Sequence, residues 1–242
     1  MVLGVIPSRY GSTRFPGKPL ARLNGKPLIQ LVWERVRSAK RLDEIVVATD
    51  DARIVKAVEG FGGKAVMTAS HLPSGTDRAW AAAKETKASL IVNIQGDEPL
   101  LTPAMVDQVV EILENNPETH MATLCFRMKG AAGYADPNVV KVVTGAQGDA
   151  LYFSRSPVPH YRQKPSSPQM TWLKHIGLYG YRRKLLSEFV TWVPSELEKK
   201  EALEQLRAVE HGVRIKVGES AADTISVDTP DDLKRVEALL NA

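Results

Sequence analysis

The chain has 242 residues, of which 43% are hydrophobic and 25% charged, and its net charge is +4 with a pI near 9.1. These values exclude a disordered, collagen-like or coiled-coil protein, and the length suffices for one large α/β domain or two small ones. The single cysteine, Cys125, favours a reducing, cytoplasmic setting. Since neither a signal peptide nor 18 consecutive apolar residues occur, we expect neither secretion nor a membrane span.

In the first half, short β-branched segments alternate with helical patterns, which is typical of βαβ units and a mostly parallel sheet. Capping residues and apolar residues at helical spacing predict the helices between the strands. We expect strands near Leu3–Pro7, Glu44–Thr49, Lys64–Thr68, Leu90–Gln95 and Met121–Phe126. We expect helices over Pro27–Lys40, over Asp51–Phe61 after a cap at Asp50, after the polar loop at residues 70–78, and from Pro103, capped by Thr102, to about Glu114.

Beyond about residue 127 the pattern is less regular. The proline-rich segment SPVPHYRQKPSSPQ predicts a long loop, which suits a surface excursion, a lid or a dimer contact. Strands are expected over Val139–Thr144, Ala150–Ser154, His175–Tyr181 and Arg214–Glu219, and helices over Ser195–His211 and Pro230–Asn241. Because no linker, repeat or low-complexity segment interrupts the chain, we expect one domain over residues 1–242.

The first predicted strand ends in the loop PSRYGSTRFPGKP, at the edge where open α/β sheets bind ligands. Three cations, Arg9, Arg14 and Lys18, alternate there with small residues such as Ser12 and Thr13. Their charge and the backbone N–H groups of the loop favour polyphosphate binding over an idle solvated loop. The loop matches neither the Walker A motif nor G-x-G-x-x-G, so a P-loop NTPase and a nicotinamide dehydrogenase both lose support.

Carboxylates follow two other short apolar strands. Asp97 and Glu98 come after IVNIQG, and Asp228 comes after ISV, ahead of a helix that starts with proline. Two carboxylates at the same sheet edge as a triphosphate loop predict oxygen ligands for Mg²⁺. For Asp228 alone a helix N-cap is an equally good interpretation, whereas an acidic pair at Asp97 is harder to explain structurally.

Three further features are ambiguous from spacing alone. The segment SHLPSGTDR either brings a helix N-terminus close to a nucleobase or phosphate, or forms a plain capped helix. His175 is more readily a satisfied structural histidine than a ligand, and period-2 alternation places Tyr179 beside it. Glu204 and Gln205 adjoin the apolar stripe of their helix without belonging to it, which predicts a solvated face.

The chain resembles the 3-deoxy-manno-octulosonate cytidylyltransferase family. The early loop alone would fit many sugar nucleotidyltransferases, including the CMP-sialate synthetases, whereas the later motifs are specific. Ser8 stands where the family usually has alanine, a small-for-small change. The motifs follow in order along essentially the whole chain: PSRYGSTRFPGKPL, HLPSGTDR, NIQGDEPL, DPNVVKVV, YFSRSPVP, HIGLYGYRR, LEQLRAVEHG and ISVDTPDDL.

This resemblance implies an α/β, Rossmann-like nucleotide-diphospho-sugar transferase fold, with a mixed, mostly parallel central sheet flanked by helices. Residues 1–126 would form a nucleotide-binding half, and residues 127–242 a sugar-binding half that also forms a homodimer. The implied reaction joins CTP to 3-deoxy-manno-octulosonate (Kdo), giving CMP-Kdo and pyrophosphate for lipopolysaccharide biosynthesis. The implied cofactor is Mg²⁺.

The site residues implied by the resemblance fall into three sets. Lys18, Asp97 and Asp228 are catalytic, and the two aspartates hold Mg²⁺. The nucleotide-binding positions are Pro7, Ser8, Arg9, Ser12, Thr13, Arg14, Lys18, Ser74, Gly75, Thr76, Arg78, Gln95 and Gly96. The sugar-binding positions are Gln95, Arg155, His175, Tyr179, Glu204 and Gln205.

Other functions remain as alternatives. The acceptor sugar could be a related ulosonic acid, such as a sialic acid or the 8-amino analogue of Kdo. The basic pI also allows a nucleic-acid-binding protein, but Lys and Arg are dispersed among acidic residues, as in ELEKKEALEQLR, so we expect neither a nucleic-acid nor a membrane partner. A catalytically inactive nucleotide-binding homologue is disfavoured because Lys18, Asp97 and Asp228 are all present.

Overall fold

The structure, a computed structural model, describes residues 1–11, 15–163 and 165–241. Its strands are β1 (Val2–Ser8), β2 (Arg22–Leu23), β3 (Lys26–Pro27), β4 (Glu44–Thr49), β5 (Lys64–Met67), β6 (Leu90–Ile94), β7 (Met121–Lys129), β8 (Lys141–Thr144), β9 (Ala150–Ser154), β10 (Thr171–Arg182) and β11 (Ile215–Glu219). Its α-helices are α1 (Leu28–Val36), α2 (Ala52–Gly60), α3 (Gly75–Ala83), α4 (Pro103–Asn115), α5 (Arg183–Phe189), α6 (Glu196–Glu201), α7 (Gln205–Glu210) and α8 (Pro230–Leu240).

The central sheet has the strand order β11-β7-β10-β6-β1-β4-β5, and β8 and β9 extend it from β10. Strands β6, β1, β4 and β5 run parallel to one another, whereas β10 is antiparallel to both β6 and β7. Strand β10, from the second half of the chain, is thus inserted between two strands of the first half. The expected mixed, mostly parallel sheet flanked by helices is confirmed.

Both faces of the sheet are covered. Leu3 and Val5 of β1 pack on one face against α3 and α5, and Ile6 packs on the other against α1, α2 and α4. A strand covered on both faces needs a nearly continuous apolar sequence, as VLGVI in β1 and LIVNI in β6 provide. The polar residues that follow β1 and β6 therefore come to the surface together, at the carboxyl edge of the parallel strands.

A small apolar cluster joins the last helix to the beginning of the chain. Val227 and Val236 pack with Leu23 and Leu28, and the backbone N–H of Asn24 donates to Oε1 of Glu237, 3.0 Å away. Helix α8 therefore lies against the β2–β3 hairpin, and the segment before α8 lies at the carboxyl edge of β1.

The single helix expected over Ser195–His211 is wrong. Helices α6 and α7 are separate because Ala202 adopts a left-handed conformation, with φ of 50°. The Arg155 guanidinium donates to the carbonyl oxygens of Glu201 and Ala202, at 2.7 and 3.2 Å, and so stabilises the corner.

Three smaller expectations also change. The short strand expected at ISV, just before Asp228, is wrong, because residues 223–228 have no regular secondary structure. The cap of α2 is Asp51, whose side chain accepts from the N–H of Arg53, and not Asp50. Helix α5, which the sequence analysis did not predict, follows β10 directly without a side-chain cap. In the described part of the chain no helix combines the length and apolar character needed to cross a bilayer.

Candidate active site

A cavity of about 260 Å³ opens at the carboxyl ends of β1 and β6, and we call it the first cavity. Most of the predicted nucleotide-binding residues line it, whereas Ser12, Thr13 and Arg14 lie outside the described residues, and Thr76 lies behind the lining. The lining residues are Pro7, Ser8, Arg9, Lys18, Pro19, Leu72, Pro73, Ser74, Gly75, Arg78, Gln95, Gly96, Asp97 and Asp228.

Glycine allows the elements around this cavity to approach one another. A Cβ on Gly96 would lie only 3.0 Å from the carbonyl oxygen of Pro7, so a larger residue would push the ends of β1 and β6 apart. A Cβ on Gly75 would lie in van der Waals contact with the Pro7 ring, 3.6 Å away. The small residues of the predicted loops therefore keep the first cavity compact.

Three predicted catalytic residues meet in this cavity. The Lys18 ammonium lies 2.6 Å from Oδ2 of Asp97 and 3.4 Å from Oδ1 of Asp228. Lys18 begins a short 3₁₀ helix after Gly17, whose φ of 70° suits glycine and whose N–H donates to the carbonyl of Tyr10. The turn thereby places the Lys18 ammonium beside the carboxylates of Asp97 and Asp228.

The N-terminus of α3 forms the opposite wall of the first cavity. The Ser74 hydroxyl caps α3 by accepting from the N–H of Asp77. Arg78 is 2% exposed, and its guanidinium binds Oδ2 of Asp50 at 3.0 Å as well as the hydroxyl of Thr68. Arg78 is thus fixed by an ion pair beneath the cavity, and Asp50, first taken for a helix cap, is its partner.

A second cavity of about 630 Å³ adjoins the first, and Asp228 lines both. On its wall, the Lys174 ammonium binds Oδ1 of Asp223 at 2.8 Å, while the buried Glu98 carboxylate accepts from the hydroxyl of Thr224. Burial raises the pKa of Glu98 to about 7. Sequence patterns missed Lys174, Asp223 and Thr224 because the segment carrying the last two has no regular secondary structure.

His175 lies in the wall of the second cavity, with its ring packed between Phe153, at a centroid distance of 5.0 Å, and Tyr179, at 5.4 Å. Its Nε2 is 3.0 Å from the Thr123 hydroxyl, which also lies 2.9 Å from the carbonyl oxygen of Leu178. Burial lowers the pKa of His175 to about 3, so the ring is neutral. The expected aromatic neighbour, Tyr179, is confirmed.

The remaining predicted sugar-binding residues line neither cavity. The Arg155 guanidinium faces backbone carbonyls, and Tyr179 is half-buried beside His175. The solvated face expected for Glu204 and Gln205 is wrong, because Gln205 is 5% exposed and the half-buried Glu204 accepts a hydrogen bond from Thr76. The sugar-binding roles of these four residues stay predictions.

Glu204 has an unusual environment at the beginning of α7. Its Oε2 accepts from the Thr76 hydroxyl, whereas Oε1 is enclosed and lies 3.9 Å from the Arg207 guanidinium. Burial raises the pKa of Glu204 above its usual value of 4.5. This carboxylate connects the second half of the chain to the wall of the first cavity.

The oxygen atoms at the first cavity suit a hard cation. Among residues 1–11, 15–163 and 165–241, no cluster of three or more His, Cys, Asp or Glu side chains that could hold a metal is present. Asp97 and Asp228, however, already share one cationic partner, the Lys18 ammonium. Because Mg²⁺ typically takes one or two carboxylates together with phosphates and waters, the two aspartates fit such an ion once a nucleotide supplies the other ligands.

The chain is similar in sequence to proteins of known function. A family model described as "Cytidylyltransferase" matches residues 3–215. The 3-deoxy-manno-octulosonate cytidylyltransferase of Geobacter sulfurreducens is 49% identical over 243 residues, which cover 97% of each chain. The protein of the same name from Thermodesulfovibrio yellowstonii is 49% identical over 248 residues, which cover 98% of this chain and 97% of that one.

Solved structures also resemble the present one, among them the following two. CMP:2-keto-3-deoxy-manno-octonic acid synthetase complexed with CTP aligns with a TM-score of 0.93 at 44% identity, covering 99% of this chain and 98% of that one. The 4-diphosphocytidyl-2C-methyl-D-erythritol synthase of Anaerococcus prevotii aligns with a TM-score of 0.64 at 14% identity, covering 100% and 96%. The second of these likenesses concerns the fold alone.

Proposed function

The chain belongs to the 3-deoxy-manno-octulosonate cytidylyltransferase family, and from this we infer that it transfers CMP from CTP to Kdo and releases pyrophosphate. The observation that supports this most directly is the meeting of Lys18, Asp97 and Asp228 at one cavity. A cation between two carboxylates, at the carboxyl edge of a parallel sheet, is suited to a nucleoside triphosphate.

We propose that the first cavity binds CTP. Arg9 and Lys18 line it and would neutralise the triphosphate, together with Arg14 of the same loop, which lies outside the described residues. The N-terminus of α3, with Ser74 and Gly75, would contact the cytosine. The α-phosphate then lies beside the two aspartates, which is the position that the reaction requires.

Catalysis in this proposal is mainly positioning and charge neutralisation. The anomeric hydroxyl oxygen of the sugar attacks the α-phosphorus, the bond to the bridging oxygen of the β-phosphate breaks so that pyrophosphate leaves, and the hydroxyl proton passes to solvent water. Asp97 and Asp228 would hold Mg²⁺, which when bound neutralises phosphate charge and makes a nearby hydroxyl more acidic. Lys18 would exchange its carboxylate contacts for phosphate oxygens and stabilise the charge that develops on pyrophosphate.

The acceptor is proposed to approach from the second cavity, since Asp228 lines both cavities. His175 and Gln95 lie on the walls and would contact the sugar. Arg155, Tyr179, Glu204 and Gln205 are proposed by family resemblance alone. We also propose, from the family and from the need for CTP, a homodimer located in the cytoplasm, with residues 1–126 chiefly binding nucleotide and residues 127–242 chiefly binding sugar and the second subunit.

Pyrophosphate release tests this function. The protein is mixed with CTP and Mg²⁺ and with one acceptor at a time: none, Kdo, its 8-amino analogue, or a sialic acid. Strong release with Kdo and little with sialic acid is expected, and the reverse order would refute the proposed acceptor. Omission of Mg²⁺ is expected to stop the reaction, and undiminished release in a chelator would refute the metal requirement. Retention on DNA or RNA that weakens with salt would instead support the nucleic-acid alternative.

A further inference from the structure

The segment that carries Asp228 has no regular secondary structure from Ser220 to Asp228. Among the hydrogen bonds that hold it against the rest of the protein, three involve Thr224 or Val227, close to Asp228. The N–H of Val227 donates to the carbonyl of Asp97 at 2.8 Å, the Lys174 ammonium donates to the carbonyl of Thr224, and the Thr224 hydroxyl donates to the carboxylate of Glu98. The position of Asp228 relative to Asp97 therefore depends on these contacts.

Of the side chains that form these hydrogen bonds, Glu98 is the one whose burial is hardest to explain by packing. It is 8% exposed, and it lies directly after Asp97, whose negative charge adds to the cost of burying a second carboxylate. An apolar residue would fill the space at a lower free-energy cost. What the Glu98 carboxylate adds is a fixed acceptor for Thr224, four residues before Asp228.

We propose that Glu98 is a positioning residue for the cytidylyl transfer: through Thr224 it holds the 220–228 segment so that Asp228 faces Asp97 across the metal position. The proposal rests on the proposed function of the two aspartates. Asp97 and Glu98 are neighbours in the chain and lie in the same turn. In this proposal the Asp97 carboxylate faces the metal position, and the Glu98 carboxylate fixes the 220–228 segment through Thr224.

Four substitutions separate positioning from packing. Glu98→Ala and Thr224→Val each remove one side of the hydrogen bond. Glu98→Gln retains a hydrogen-bond acceptor, and Thr224→Ser retains the hydroxyl donor. Thr86→Val is the matched control, since Thr86 is a partly buried threonine whose hydroxyl bonds to the backbone of Ala83 and Ala88, away from both cavities.

Each variant is measured in two ways: the Mg²⁺ concentration that gives half-maximal pyrophosphate release, and Mn²⁺ binding by electron paramagnetic resonance in the presence of CTP without Kdo. Glu98→Ala and Thr224→Val are expected to weaken metal binding by about 10- to 100-fold and to lower kcat, with KM for CTP changed by less than about 3-fold. The double variant is expected to be no worse than either single one, because both remove the same bond. Glu98→Gln and Thr224→Ser are expected to restore metal binding to within about 3-fold of the unmodified protein.

Unchanged Mn²⁺ binding in folded Glu98→Ala or Thr224→Val would overturn the proposal. So would additive losses in the double variant, or an equal loss in Thr86→Val. If Glu98→Ala does not fold, the Thr224→Val and Thr224→Ser pair decides the matter by the same comparison. Failure of the proposed function is a separate result, since the unmodified protein would then release no pyrophosphate from CTP and Kdo whatever its affinity for Mn²⁺.

Discussion

The hydroxyl of Thr76 donates a hydrogen bond to Oε2 of Glu204, which joins the first turn of α3 to the beginning of α7. Thr76 is buried and Glu204 half-buried, and the Glu204 carboxylate also lies 3.9 Å from the Arg207 guanidinium. The bond therefore fastens a wall of the first cavity to the second half of the chain.

Loss of this bond is expected to destabilise the protein. Thr76→Val removes the donor of this hydrogen bond to the half-buried Glu204 carboxylate, which costs about 1–3 kcal/mol. The free energy of unfolding, measured by urea titration at neutral pH, checks this. Thr76→Ser keeps the hydroxyl and is expected to lose less than half as much. Equal losses in the two variants would mean that the methyl group matters and the hydrogen bond does not.

Neutralising either aspartate of the first cavity is expected to abolish turnover. Asp97→Asn and Asp228→Asn each remove one charged oxygen proposed to bind Mg²⁺ and should lower pyrophosphate release by more than about 100-fold. Circular dichroism is expected to show an unchanged fold. Asp231→Asn, three residues after Asp228 and fully in solvent, is the control and should retain full activity. Full activity in Asp97→Asn or Asp228→Asn would refute the metal assignment.

The buried ion pair beneath the cavity is expected to contribute strongly to stability. Asp50→Asn leaves the Arg78 guanidinium buried without a charged partner, at a cost of about 3–5 kcal/mol. Thermal unfolding measures the loss as a lower Tm. Glu114→Gln, which breaks the exposed pair with Arg41, is the comparison and should cost less than about 1 kcal/mol. Comparable losses for the two pairs would contradict this interpretation of burial.

The neutral His175 predicts a dependence of stability on pH. Its folded pKa, about 3, lies below the ordinary value of 6.5, so the unfolded chain binds more protons between these values. The stabilisation from a neutral His175 is complete above about pH 6.5 and is lost as the pH falls, by about 1.4 kcal/mol per unit. Urea titrations at pH 7.5 and pH 5 test this, with His175→Gln as the reference that lacks the titrating group. An identical pH dependence in both proteins would refute it.

The βαβ half could be predicted from sequence because its signals are local. The predicted strand Glu44–Thr49 is observed with the same bounds, and the Thr102 and Pro103 pair starts α4 as expected. The break at Ala202 could not be predicted in this way. Neither glycine nor proline marks it, and the Arg155 guanidinium that stabilises it lies 47 positions away in the sequence.

The meeting of Lys18, Asp97 and Asp228 could be predicted from sequence. Lys18 and Asp97 lie in segments that follow strands β1 and β6, whereas the strand expected before Asp228 does not form. Burial of polar residues was not predictable from periodicity. Glu98 accepts a hydrogen bond from Thr224, 126 positions away in the sequence, and Glu204 accepts one from Thr76, 128 positions away. A helical pattern identifies an apolar face, but it does not tell where a polar residue beside that face meets a partner from a distant element.

The distance along the chain between Lys18 and Asp228, 210 positions, has a consequence for synthesis. At about 5–20 residues per second, the ribosome adds Asp228 roughly 10–40 seconds after Lys18. Throughout that interval the nascent chain has the loop that carries Lys18 but lacks Asp228, one of the residues that line the first cavity. The first cavity is therefore complete only when nearly all of the polypeptide has been made.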